Sequence, residues 1–181
     1  MAGKKSEQGL TLIELMVVVA VLGILAAVTV PAFSRDREEG RFRDYIKRFI
    51  GDLTRVKAEA ISKREDRSII IAGASHQIES VVGGVNTLIV KRTIPDGVFI
   101  GGVTASPAVP WNGSYSPPTY SAAMSGTVEL RFNDLGQMQV DTGGGLTSSS
   151  ASVFFRTNNG QHRARVVIFP TTSFTKYYEG W

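Results

Sequence analysis

The residues best placed to do chemistry lie near the start of the chain. Glu14 is a lone carboxylate inside an apolar run, Leu10 to Val30, that is otherwise broken only by Thr11, Gly23 and Thr29. An ionised carboxylate in hydrocarbon costs about 2.5–3.5 kcal/mol on insertion scales, so it needs a partner or a function. If the chain is cut between Gly9 and Leu10, the new Leu10 ammonium lies four residues from Glu14. That is about one helical turn, so the two charges can meet within one chain or between adjacent chains. Uncut, the peptide bond at this position offers no charge.

Other sets of reactive residues point to little chemistry. The sequence has no cysteine and only two histidines, His76 and His162. Disulfides, thiol nucleophiles and multi-histidine metal sites are thereby excluded. Asp134 and Asp141 flank a turn, but a hard cation takes six or more oxygens and few acids are near, so both read as turn residues. His162 with Ser148–Ser150 lacks a nucleophile-elbow motif and an acid to orient the imidazole. No enzyme, metal or cofactor is expected.

Arg156, Arg163, Arg165 and Lys176, interleaved with Phe154, Phe155 and Tyr177, could form a basic aromatic face contacting DNA. Strand alternation is expected to put Arg163 and Arg165 on one face and Phe154 on another, which makes a solvated sheet face the simpler reading. The net charge of +4, from 20 basic and 16 acidic side chains, is too mild to argue for nucleic acid.

The elements that must position Glu14 follow from the apolar run. As a helix, Leu10–Val30 extends roughly 30 Å, which matches the hydrocarbon thickness of a bilayer. Lys4 and Lys5 ahead of it favour a cytoplasmic N-terminus and place the rest of the chain across the membrane. A conventional signal peptide would have a shorter core, no acid and a small-x-small cleavage site, which Val30-Pro31-Ala32 does not supply. A plain anchor leaves Glu14 without a reason.

Past the charged stretch Ser34–Arg41, Phe42, Tyr45, Ile46, Phe49, Ile50, Leu53, Val56, Ala60 and Ile61 recur mostly every three or four residues. This pattern predicts an amphipathic helix ending near Ser62–Asp66, its stripe covering a later sheet. Short β-branched segments then predict strands at 68–72, 77–82, 87–93, 98–100, 127–133, 137–141, 152–157, 163–169 and 174–178. Gly101–Gly126, with four prolines, reads as a long surface loop, and Asn158-Asn159-Gly160 as a hairpin turn.

Gly9-Leu10-Thr11-Leu12-Ile13-Glu14, followed by an apolar helix with Gly23 and Pro31, resembles the N-terminus of type IV prepilins and type II secretion pseudopilins. The resemblance implies that prepilin peptidase cuts after Gly9 and methylates the Leu10 amine. It implies an assembly role for Glu14, at the fifth mature position, and helix bending at Gly23 and Pro31. Leu10 departs from the usual phenylalanine. The order helix, meander, Phe132-Asn133-Asp134-Leu135-Gly136, then a hairpin ending in Arg165–Phe169, is similar to the GspH/FimT group of minor pilins and pseudopilins.

The fold so implied is pilin-like α+β, with one long helix packed on a mostly antiparallel β head. Its expected parts are a leader (1–9), a membrane-spanning and assembly helix (10–33), an amphipathic helix (34–66) and a soluble head (67–181). The function implied is that of a minor pilin taking part in a priming or tip complex for type IV pilus assembly. Its partners are then prepilin peptidase, other minor pilins, the major pilin, an inner-membrane assembly platform and lipid. The expected location is the bacterial inner membrane with the head in the periplasm, then the pilus. The alternatives are a minor pseudopilin of type II secretion, a pilus-borne DNA receptor, and an anchored protein that never polymerises.

Overall fold

The computed structural model describes residues 11–105 and 120–180, leaving aside the side chains of residues 27–36. Among the described residues one α-helix, α1 (Leu12–Lys63), is followed by nine strands. These are β1 (Asp66–Ala72), β2 (Ser75–Val82), β3 (Val85–Thr93), β4 (Val98–Ala105), β5 (Thr127–Phe132), β6 (Met138–Asp141), β7 (Ala151–Thr157), β8 (Arg163–Ile168) and β9 (Thr175–Glu179). The chain divides into two compact units, residues 1–38 and 39–181.

In the first unit, Leu12 through Leu25 expose their large apolar side chains at nearly every position, from Leu12 at 77% to Val21 at 49%. Consecutive exposed positions point to all sides of a helix, so no single stripe is apolar and the whole circumference needs a non-aqueous neighbour. The helix assignment runs on through Gly23 and Pro31 without a break.

In the second unit the amphipathic stripe is core. Phe42, Tyr45, Ile46, Phe49, Leu53, Val56 and Ala60 are all buried, with Phe49, Val56 and Ala60 fully so. Ile61 falls off the stripe and stays 45% exposed. The helix ends where Arg64 takes a left-handed conformation (φ 54°), and the Glu65 N–H closes back on the Ala60 carbonyl at 3.3 Å. That is a C-terminal cap made without glycine.

Among the described residues the strands form two sheets, which makes the head antiparallel β as expected. The first has the order β3-β2-β1-β5-β6 and the second β4-β7-β8-β9, and every pairing is antiparallel. Ile69 and Ile71 of β1, flanked by Ile78 of β2 and Leu130 of β5, present one buried face. Ile100, Val153, Phe155, Ala164, Val166 and Ile168 supply another, and both sets share one core with the helix stripe.

β4 continues to Ala105, so the first residues of the expected 101–126 loop are strand, while residues 106–119 lie outside the described residues. Gly101 and Gly102 lie within that strand beside a register shift. A Cβ on either would come within 2.4 Å of the Tyr120 side chain, so these glycines let Tyr120 lie directly on the strand.

Candidate functional site

Gly9 and Leu10, the expected processing residues, lie outside the described residues. The first described turn is organised around Glu14. The Thr11 N–H and the Thr11 hydroxyl each donate to Glu14 Oε2 at 2.8 Å, and the Glu14 N–H donates to Thr11 Oγ1 at 3.3 Å. This reciprocal arrangement is a capping box, in which an N-cap threonine and the third helical residue satisfy each other's free N–H groups. The Leu15 N–H to Thr11 carbonyl bond, 3.2 Å, closes the first helical turn. The helix start therefore carries a carboxylate fixed beside its own N-terminus, where it also meets the positive end of the helix dipole.

Among the described residues no helix is long and apolar enough to cross a membrane. The apolar run of the sequence continues to Val30, whereas the described side chains stop at Ala26 before resuming at Arg37.

A second polar assembly joins the helix to the first sheet. Tyr45 Oη lies 2.8 Å from His76 Nδ1, and His76 Nε2 lies 3.0 Å from Asp52 Oδ2. Arg92 donates to the same carboxylate through Nε (2.8 Å) and Nη2 (3.3 Å). A neutral imidazole carrying its proton on Nε2 satisfies every contact: Tyr45 donates to Nδ1, and Nε2–H donates to Asp52. Burial holds His76 below its ordinary 6.5, against the opposing pull of the Asp52 hydrogen bond. Burial pushes Asp52 up, but hydrogen bonds from Arg92 and His76 outweigh it and leave the carboxyl below its ordinary 3.8. Burial raises the Tyr45 hydroxyl, reinforced by the Asp52 charge.

This cluster was missed in reading the sequence, although a signal exists. Asp52 lies seven residues after Tyr45 and three after Phe49, on the buried stripe rather than the charged face. An acid on an apolar stripe calls for a buried partner.

The four basic residues considered for DNA occupy different settings. Arg165 is 3% exposed, with its guanidinium carbon 4.7 Å from the Tyr178 ring centroid, and Lys176 Nζ stands 5.0 Å from the same ring. Arg156 donates to the Tyr120 carbonyl, and Arg163 Nε to the Gly160 carbonyl at 3.4 Å. Phe154 pairs directly with Arg165, so the two share a face, contrary to the expectation that they part. Tyr120 packs on Phe154 with ring centroids 5.4 Å apart, covering part of that face.

Asp141 is a turn residue: its Oδ1 accepts the N–H groups of Gly143 (2.7 Å) and Gly145 (2.9 Å). Among the described residues no three histidine, aspartate or glutamate side chains gather as metal ligands would.

Residues 4–30 match the prokaryotic N-terminal methylation motif. Two fimbrial proteins of Pseudomonas aeruginosa are each 34% identical over 71 residues, which is 39% of this chain and 44% of the relative. The match thus spans less than half the length of these curated relatives. The structure is similar to that of the minor pseudopilin EpsH from the type 2 secretion system of Vibrio cholerae, with a TM-score of 0.53 and 9% identity. That likeness covers 77% of this chain and 97% of EpsH, and it speaks for the fold. Pilins and pseudopilins are structural proteins, not enzymes. The chain thus carries the N-terminal methylation motif ahead of a pilin-like α+β fold.

Proposed function

We propose that the chain is a minor pilin of a type IV pilus, made as a membrane-inserted precursor with its head in the periplasm. Prepilin peptidase cuts it after Gly9 and methylates the Leu10 amine, which keeps its positive charge. The subunit then joins other minor pilins to prime the filament, at an inner-membrane assembly platform, and later meets the major pilin through the same helix. Gly23 and Pro31 let that helix bend as it exchanges lipid for neighbouring helices. Because its apolar surface stays covered throughout, the transfer is energetically feasible.

The observation that carries this reading is the Glu14 carboxylate fixed by Thr11 at the head of a helix that is apolar on all sides. A plain anchor needs that acid only to cap its helix start. A subunit that must neutralise an N-terminal ammonium, its own or a neighbour's, needs its charge as well. Glu14→Ala is expected to insert normally and to be poorly incorporated into filaments. Incorporation equal to the wild type would remove the ground for the proposal.

The fold likeness to EpsH favours a second reading, a minor pseudopilin of a type II secretion system. Deleting the gene separates the two. Loss of surface pili supports the first, and loss of exoprotein secretion with pili intact supports the second.

A further inference from the structure

We propose that a basic cleft between residues 41–48 of α1 and the end of β3 is an oxyanion site that takes a phosphate group. Arg41, Asp44, Tyr45 and Arg48 stand at helical spacing on one side of α1, and they meet Lys91 and Arg92 across a cleft of about 410 Å³. Tyr45 is buried and bonded to His76. Arg92 is held from behind: its Nε and Nη2 are bound to Asp52, while its side chain remains 32% exposed. A guanidinium has five N–H donors, so this anchored arginine keeps donors for a ligand.

Arg41, Arg48 and Lys91 are exposed, and no ion pair among the described residues involves them. Four cations thus stand against two carboxylates, Asp44 in the lining and Asp52 behind it. Like charges gathered in a concave site repel one another, and a bound anion turns that cost into attraction. Guanidinium forks match phosphate oxygens two at a time. The charge excess and the volume suit a phosphate with part of its ester better than a single carboxylate.

Two sources share this chemistry, a phospholipid headgroup and free phosphate. The lipid source rests on the membrane-borne reading proposed above; the phosphate source does not. A headgroup held here gives the precursor a membrane contact besides its apolar helix.

The test follows the acylation rate of the Lys91 amine by mass spectrometry on the full chain, with exposed Lys63 as internal reference. One arm compares phosphatidylcholine nanodiscs with discs containing phosphatidylglycerol. The other adds inorganic phosphate to the chain in neutral detergent. With ligand at about four times its Kd, occupancy slows Lys91 about fivefold while Lys63 is unchanged. Slowing only in phosphatidylglycerol discs identifies the lipid source, and slowing by inorganic phosphate the free anion. Either effect is lost in the Arg41→Gln, Arg48→Gln double variant. Failure of the chain to enter discs would count against the membrane reading, while the detergent arm still decides the site.

The proposal is overturned if Lys91 reacts at the same rate in all conditions, or if Lys63 slows equally. It is overturned too if Lys91 is protected only when another pilin-like subunit is added, which would make the cleft a seat for a protein carboxylate.

Discussion

Thr11 and Glu14 are bonded in both directions across the first turn of α1: the Thr11 hydroxyl and N–H donate to Glu14 Oε2, and the Glu14 N–H donates to Thr11 Oγ1. Among the described residues both bonds to the carboxylate fall on Oε2. On the proposed processing, Oε1 is left for the new ammonium, and Thr11 is a positioning residue that keeps the acid near the helix end before its partner exists. Removing the hydroxyl in Thr11→Val is expected to lower incorporation into filaments several-fold, and Thr11→Ser to restore it. Counting subunits in sheared filaments relative to membranes checks this; equal incorporation of the valine variant would show that the box does not matter for assembly.

Much of this architecture is legible in the residues, because hydrophobic periodicity is strong where a single helix must cover a core. The stripe from Phe42 to Ala60 and the nine strands among the described residues follow from it. Four things are not so readily read. Thr11-Leu12-Ile13-Glu14 fits the spacing of a capping box, but the same spacing also suits a carboxylate that pairs with an ammonium at Leu10, so sequence does not single out the local partner. The division into two sheets depends on which strands pair, and alternation within one strand says nothing about its neighbours. For the same reason the facing of Phe154 and Arg165 is fixed by the register across the 158–162 turn, which the sequence of β7 does not encode. The Tyr45, His76, Asp52 and Arg92 cluster draws on four separate places in the chain, and only the position of Asp52 hints at it.

That cluster makes stability depend on pH. His76 sits below its ordinary 6.5 in the folded chain, so below that pH the unfolded chain takes up a proton that the folded chain refuses. Stability is thus fully present above 6.5 and falls as pH drops through the window beneath it, with a slope of at most about 1.4 kcal/mol per pH unit. Asp52, also depressed, adds a second loss of the same sign below 3.8. Thermal unfolding of wild type and His76→Gln between pH 7 and pH 5 checks the first window. The variant is expected to be flatter, and identical slopes would mean that His76 does not titrate differently on folding.

Tyr45→Phe deletes the only hydroxyl reaching His76 Nδ1 among the described residues, leaving a buried acceptor without its donor. The expected cost is about 1–3 kcal/mol in urea unfolding, with an unchanged m-value. A loss below about 0.5 kcal/mol would mean that the bond contributes little beyond the packing that phenylalanine preserves.

Arg165 is buried against Tyr178, and Arg156 and Arg163 are half-buried and each donate to a backbone carbonyl, which leaves Lys176 as the exposed member of the basic set considered for DNA. In gel shifts across a salt series, the full chain is expected to bind no better than an unrelated basic protein of similar charge. Higher affinity that drops in Arg163→Gln or Lys176→Gln would instead support a DNA receptor.

On the proposed processing, proteolysis creates the cation that Glu14 awaits. Mass spectrometry of the N-terminus of the native, assembly-competent protein tests it most directly. A chain that begins at Leu10 and carries an N-methyl group is expected; a fully functional chain that still begins at Met1 or Ala2 would contradict the proposed processing.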